Sequence, residues 1–348
     1  MALRDEILEQ PIILQRWIDT QMHAVSRIAE AILSRDVRYI FLAARGSSDH
    51  AGVYAQYLFG SRNRLPLALA APSLFTMYRR SPRLDDALVI GISQSGQSPD
   101  IVSVISEGRR QGAITLAITN DPTSPLARSA ELSLDVQAGP ELAVAATKTY
   151  TAELLALAAL SVAMAGNEAN DLAELNSVPG AVRAVLDLET EAERIAARYA
   201  SLDRCIVLGR GYNYATAQEW ALKLKELAYV FTDVYSTADF QHGPIAIVQP
   251  GFPVLAVVPE GAVLAAQLPL LAKLRNEYEA ELVVISNNEQ ALSLGGPASR
   301  LRLPPRLPEW LTPIVGIVPA QLFSYHLTRA KGLDTENPRT LHKVTLTQ

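Results

Sequence analysis

Leu88-Val89-Ile90-Gly91-Ile92-Ser93-Gln94-Ser95-Gly96-Gln97-Ser98-Pro99-Asp100 runs from an unbroken apolar stretch straight into a loop of hydroxyls, amides and a glycine. The residues that follow, Ile101 to Arg109, continue as a helix. A strand that leads through a polar, glycine-containing loop into a helix N-terminus attracts anions, because free backbone N–H groups and the helix dipole both face the ligand. Ser93, Gln94, Ser95 and Ser98 add side-chain donors. The loop has no lysine, so it is not the G-x-x-x-x-G-K-[ST] nucleotide loop. It suits a smaller phosphate, such as that of a sugar. A plain turn, with Ser98 as N-cap and Pro99 at the first helical position, explains two of these residues. It leaves three donors at the end of the strand without a task.

Outward from this stretch, apolar runs of strand length alternate with longer helical patterns. Residues 37–44, 87–92, 113–119 and 131–136 read as strands, and residues 50–60, 99–111 and 147–165 as helices. That alternation predicts βαβ units and a mostly parallel sheet. Strands of such a sheet are covered on both faces and are continuously apolar, as Phe41-Leu42-Ala43-Ala44 and Leu88-Val89-Ile90 are. The pattern then restarts. Asp203-Arg204-Cys205-Ile206-Val207-Leu208-Gly209-Arg210-Gly211 echoes Val37-Arg38-Tyr39-Ile40-Phe41-Leu42-Ala43-Ala44-Arg45-Gly46, each ending in Arg-Gly. Residues 253–258 and 281–286 supply later strands. The expected fold is therefore α/β, in two similar halves related by a pseudo-twofold. The expected boundaries are an N-terminal helical segment at 1–34, a first domain at 35–166, a linker helix at 167–200, and a second domain with a C-terminal active-site tail at 201–348.

Half of the 348 residues are hydrophobic, enough for a sizeable core, and the net charge is −5. An acidic chain without a long basic run argues against nucleic acid as a partner. Cys205 is the only cysteine, so no intrachain disulfide can form, which fits a reducing compartment. Its apolar surroundings mark it as a small core residue rather than a nucleophile. The N-terminus is acidic where a signal peptide is apolar, and the apolar run 154–166 is too short to cross a bilayer. A soluble, cytoplasmic protein with no membrane partner is expected.

Several motifs occur in one order: Arg45-Gly46-Ser47-Ser48, Ser93-Gln94-Ser95-Gly96, Ala145-Ala146-Thr147-Lys148, Ala221-Leu222-Lys223-Leu224-Lys225-Glu226, His242-Gly243-Pro244, and the tail Pro338-Arg339-Thr340-Leu341-His342-Lys343-Val344-Thr345. Together they resemble the tandem sugar-isomerase (SIS) domains of glucosamine-6-phosphate synthase and the SIS-fold isomerising glucosamine-6-phosphate deaminases. The resemblance runs over nearly the whole chain. The synthase's glutaminase domain has no counterpart in this sequence, so the activity implied is that of the isomerase half. The implied substrate is an amino-sugar or hexose 6-phosphate, and the implied reaction is aldose–ketose isomerisation with or without release of ammonia. A homodimer with shared active sites is also implied.

Such chemistry needs a phosphate seat, a ring-opening group, a base between adjacent carbons and a means of stabilising the enolate or enolamine. The resemblance adds Ser48 to the seat formed by Ser93, Gln94, Ser95 and Ser98; capping of a helix that begins near Asp49 is the structural alternative. Glu226 matches the base, with Lys223 three residues earlier on the same helix face. An ordinary surface ion pair is the competing explanation for those two. His242, with a pKa near neutrality, suits ring opening, and the resemblance implies that it reaches into the partner subunit's site. Lys343 matches the lysine that forms a Schiff base with the open-chain ketose, a step that needs the unprotonated amine. The strand-like run 343–346 carries it. Glu141, Ala145 and Thr147 belong to a loop expected to line the sugar near C1 and C2. Two departures from the family put the exact sugar in doubt: Ala146 where many members have serine, and Asp239 where the synthase often has glutamate. The sequence has no metal-ligand constellation and no G-x-G-x-x-G fingerprint, so no cofactor is expected. Two other functions compete, a non-catalytic sugar-phosphate-binding regulator and a fructosamine-phosphate deglycase.

Overall fold

The computed structural model describes residues 2–296, 298–341 and 343. The chain opens with α1 (Ala2–Leu33). Its first half then runs β1 (Tyr39–Ala43), α2 (Ser47–Leu58), β2 (Leu67–Leu69), α3 (Ser73–Thr76), β3 (Ala87–Ile92), α4 (Pro99–Arg110), β4 (Ile114–Thr119), α5 (Pro125–Ser129), β5 (Leu132–Asp135) and α6 (Lys148–Met164). After α7 (Ala169–Leu186) and α8 (Glu189–Arg198) the second half runs β6 (Arg204–Gly209), α9 (Asn213–Ala228), β7 (Phe231–Ser236), β8 (Pro253–Val257), α10 (Leu264–Asn276), β9 (Glu281–Ser286), α11 (Glu289–Gly295), β10 (Arg300–Arg302) and α12 (Thr312–Ala330).

Two five-stranded sheets result, in the orders β2-β1-β3-β4-β5 and β10-β9-β8-β6-β7. Every strand pair is parallel. This is the α/β class that the alternating pattern predicts, with helices flanking each sheet. Every residue of β3 and of β4 is buried, the signature of strands covered on both faces. In the first sheet, Phe41, Ala43, Val89 and Ala117 pack with Ile101, Val104 and Ile105 of α4. The second sheet has a matching core of Ile206, Leu208, Val254 and Ala256 against Leu270, Leu271 and Leu274 of α10. The two orders are the same when read from β2 and from β7. In each sheet the chain visits the first strand, steps to one side, then returns to the other side. That reversal puts a crevice at the carboxyl ends of β1 and β3, and another at those of β6 and β8.

The chain divides into two compact units. One contains Ile12–Leu142, Ala146–Ser177 and the tail residue Lys343; the other contains residues 2–11, Ala143–Ala145 and Val178–Leu341. The division falls inside α7. The single linker helix expected over 167–200 is in fact two. Leu188 N–H bonds back to Val185 O at 3.2 Å, and Ala192 N–H then starts a new ladder on Leu188 O at 2.8 Å. The first turn of α8 carries Glu189 and Glu191, which favour a helix N-terminus there. The apolar run near 154–166 lies mostly in α6, which is buried from Lys148 through Ala163. Its all-round hydrophobicity is that of an interior helix. No helix among the described residues is long and apolar enough to cross a membrane.

Candidate functional site

In the first unit the loops after β1 and β3 border the switch-point crevice. The β3 loop is pinned from both sides. Gly96 N–H bonds to Ser93 O at 3.2 Å and to Ser93 Oγ at 3.1 Å. Asn120 N–H donates to Gln94 O at 3.1 Å, and Leu126 N–H to Gly96 O at 3.1 Å. Gly96 sits at φ 62°, and a Cβ there would overlap the Ser124 hydroxyl, so the turn requires glycine on two counts. Ser93 is buried, while Gln94, Ser95 and Ser98 are partly exposed along the crevice. Ser98 stands at the N-cap position of α4, yet its hydroxyl makes no capping bond. The capping explanation therefore accounts for its backbone and not for its side chain. Across the crevice Arg45 Nε donates to the fully buried Asp100 carboxylate at 2.9 Å, tying the β1 loop to the first turn of α4.

Ser48 does not cap α2. The helix begins at Ser47 with Gly46 as N-cap, and Ser48 Oγ donates instead to the buried Glu153 Oε1 at 2.9 Å. Asp49 stands two residues past the helix start, in the first turn of α2. Burial raises its pKa.

Glu141 is the centre of a second cluster in the same unit. Its Oε1 accepts the N–H groups of Thr147, at 2.9 Å, and Thr149, at 3.1 Å, at the N-terminus of α6. Its Oε2 accepts Thr149 Oγ1 at 2.8 Å and Lys343 Nζ at 2.6 Å. The carboxylate is fully buried and the lysine side chain 24% exposed. A buried anion at a helix N-terminus is well placed electrostatically. Here it also holds the tail amine expected to act on the sugar. Beyond Lys343, the strand-like residues 344–346 lie outside the described residues. Ala145 is buried and falls in the other unit.

That other unit carries Lys223 and Glu226 on α9. They are not an ordinary surface pair. Lys223 is 1% exposed and lies between two carboxylates: Glu226 Oε2 at 2.9 Å and Glu219 Oε1 at 3.2 Å. Glu219 is fully buried, and Glu226, at 25% exposure, is the member that reaches solvent. Burial opposes the charge on Lys223, but the two carboxylates together outweigh it and raise the lysine pKa. Sequence reasoning missed Glu219, although its position four residues before Lys223 puts it on the same helix face. His242 ends a short 3-10 turn over Asp239–His242, and both of those residues are exposed. Cys205 is buried in β6, where burial pushes its thiol pKa up to about 12, the behaviour of a core residue.

The crevice of the second sheet is lined differently. The loop after β8 reads Pro259-Glu260-Gly261-Ala262-Val263, without the serine run. Its Ala262 N–H donates to Glu309 Oε2 at 2.7 Å, and the Glu309 carboxyl group fills the space a Cβ on Gly261 would need. The chain's own carboxylate thus occupies this loop.

One crevice rich in free donors, repeated topology and a helix carrying Glu-x-x-x-Lys-x-x-Glu are the setting for the comparison with known proteins. A family model of the SIS domain matches residues 34–163 and again residues 199–329. The chain belongs to the SIS domain family. The chain is 33% identical over 353 aligned residues to the isomerizing glutamine--fructose-6-phosphate aminotransferase of Pseudomonas putida, an alignment covering 97% of this chain and 57% of that protein. The corresponding enzyme of Aquifex aeolicus is 32% identical, with 97% and 56% covered. The chain therefore spans a little over half the length of these relatives. Among solved structures, the C-terminal domain of glucosamine-fructose-6-phosphate aminotransferase from Francisella tularensis is 28% identical with a TM-score of 0.86, covering 97% of this chain and 98% of that one. The glucosamine-6-phosphate deaminase of Thermotoga maritima shares the fold, with a TM-score of 0.80 at 21% identity and full coverage of both chains.

Proposed function

We propose that this SIS protein is an aldose–ketose isomerase acting on an amino-sugar or hexose 6-phosphate, and specifically an isomerising glucosamine-6-phosphate deaminase. The observation that carries the proposal is the α9 triad. Lys223 is held between the buried Glu219 and the quarter-exposed Glu226, so the Glu226 carboxylate is fixed in place by an ion pair while facing outward. A positioned carboxylate is what a proton transfer between C1 and C2 of an open-chain sugar needs.

In this reading the Ser93–Ser98 loop and the N-terminus of α4 receive the phosphate. Ser48 adds to that seat, and Thr147 and Ala145 line the sugar. His242 donates and accepts the proton of ring opening; its exposure suits a residue completed by a partner subunit in a homodimer. Glu226 takes the proton from one carbon and returns it to the next. The proton transfer leaves an imine at C2; Lys343 Nζ, having given up its proton, adds to that carbon, ammonia leaves, and water hydrolyses the resulting lysine imine to release the ketose phosphate. Glu141 holds the amine until substrate arrives. A single buried cysteine and a phosphorylated substrate support a cytoplasmic location.

The Lys343–Glu141 ion pair favours a second reading, a sugar-phosphate-binding regulator, because a charge-paired ammonium is not a nucleophile. A coupled assay for fructose 6-phosphate and ammonia, with glucosamine 6-phosphate as substrate, separates the two. Turnover in the unmodified protein, reduced 10²-fold or more by Glu226→Gln and by Lys343→Ala, is the expected result. Full activity in Glu226→Gln removes the base. Thermal stabilisation by hexose phosphates without any turnover selects the regulator, and turnover of fructosamine phosphates alone selects the deglycase.

A further inference from the structure

The C-terminal end of α9 carries a feature that none of these roles uses. Tyr229 stops the helix in the left-handed region, at φ 54° and ψ 36°, where glycine or asparagine is the usual choice. Thr340, a β-branched residue, is also left-handed, at φ 57°. Such residues resist that conformation, and it persists only where the surroundings over-determine it. Arg339, next to Thr340, links the two. Arg339 N–H donates to Tyr229 Oη at 2.7 Å, and the Arg339 guanidinium carbon lies 4.4 Å from the centre of the Tyr229 ring. Pro338, immediately before, is buried. One side chain therefore grips the tail twice, by its hydroxyl on the backbone and by its ring on the cation, and the chain turns sharply at the next residue. Lys343 follows four residues after Arg339.

We propose that Tyr229 is a latch for the C-terminal tail. It is a positioning residue that ties the end of the helix bearing Lys223 and Glu226 to the segment leading to Lys343. The hydroxyl fixes the register of the tail whatever side chain stands at 339. The ring then selects a planar cation there, which arginine supplies better than lysine. The functional half of this inference rests on the reading of Lys343 as the acting amine; the structural half does not.

Two measurements on the full chain keep the halves apart. The first is the rate of tryptic cleavage after Arg339 under native conditions, which requires the backbone to leave the latch. Tyr229→Leu accelerates it tenfold or more. Tyr229→Phe, which keeps the ring and loses one hydrogen bond, accelerates it roughly 2- to 10-fold. An unchanged rate in Tyr229→Leu overturns the latch, whatever the activity. The second is steady-state turnover of glucosamine 6-phosphate. Tyr229→Phe and the exposed-site variant Arg339→Gln, which does not disturb the core, lower kcat several-fold and leave KM within twofold. Arg339→Lys recovers part of the loss, which a merely structural role would not require. Faster cleavage in the Tyr229 variants, with kcat unchanged in Tyr229→Phe, Arg339→Gln and Arg339→Lys, overturns the positioning role. Absence of turnover in the unmodified protein overturns the isomerase reading and leaves the latch to be decided by proteolysis.

Discussion

Lys223→Met tests the triad directly. At 3.2 Å from Glu219, the buried ion pair has a gross attraction of roughly 5 kcal/mol at an effective dielectric near 20. Desolvation of each ion costs several kcal/mol, so the net contribution of the pair is small. Removing one partner is different, because the fully buried Glu219 carboxylate loses the cation that faces it. The expected destabilisation is about 3–5 kcal/mol. Glu226 adds little, since its quarter exposure lets solvent screen it. The double variant Glu219→Leu/Lys223→Met buries no charge and is expected to be within about 1–2 kcal/mol of the parent. Urea denaturation followed by the fluorescence of Trp220, which is buried on the same helix, reads the unit concerned. A loss under about 1 kcal/mol in Lys223→Met, or a double variant as weak as the sum of the singles, refutes the argument that the lysine neutralises Glu219.

Other outcomes follow from the same geometry. Gly96→Ala forces a Cβ into the Ser124 hydroxyl at a left-handed position, and calorimetric titration with a hexose 6-phosphate should show affinity reduced by at least tenfold. Glu141→Leu removes the acceptor of two N–H groups at the start of α6, with an expected cost of about 1–3 kcal/mol in thermal unfolding, and it frees Lys343. His326 is buried against Glu189 and Glu193, with Arg4 and Arg329 nearby, and burial lowers its pKa from 6.5 despite the two carboxylates. A lowered folded-state pKa means the unfolded chain binds the proton more readily. Stability is therefore present above pH 6.5 and declines as the pH falls below it. His326→Gln should flatten that decline in melting temperature, and an unchanged slope would show the imidazole to be irrelevant.

How much of this was legible in the sequence depends on what each residue was asked to reveal. The interior strands were readable because burial on both faces leaves β3 without a polar side chain and restricts those of β4 to Thr115 and Thr119. The edge strands β2, β7 and β10 escaped. Edge position leaves one side in water, so β10 reads Arg-Leu-Arg and β7 mixes Thr232, Asp233 and Ser236 with Phe231, Val234 and Tyr235. The break between α7 and α8 is made by backbone hydrogen bonds around Leu188, in a stretch with no glycine to announce it. The Lys223–Glu226 spacing was visible, but its burial was not. Lysine and glutamate are rarely interior, so pattern alone favours a solvated face, and only packing reveals Glu219 as the third member. Ser48 was expected in the phosphate seat, with capping as the alternative, and its bond to Glu153 left no local sign because that partner lies 105 residues away in sequence. The Glu141–Lys343 pair, separated by 202 residues, leaves no local trace either.

The carboxylate at the loop after β8 has a consequence for how the chain responds to ligand. Glu309 is tethered, and a tethered anion has an effective concentration of order mM even on a flexible linker. It does not dilute, and it does not vary with the metabolic state of the cell. A free phosphate entering the second crevice would have to displace it from the Ala262 amide at every encounter. A duplicated topology would suggest two equivalent binding events per chain. With one crevice stoppered from within, a titration with sugar phosphate should instead follow a single-site isotherm, with half the stoichiometry that the internal repeat suggests.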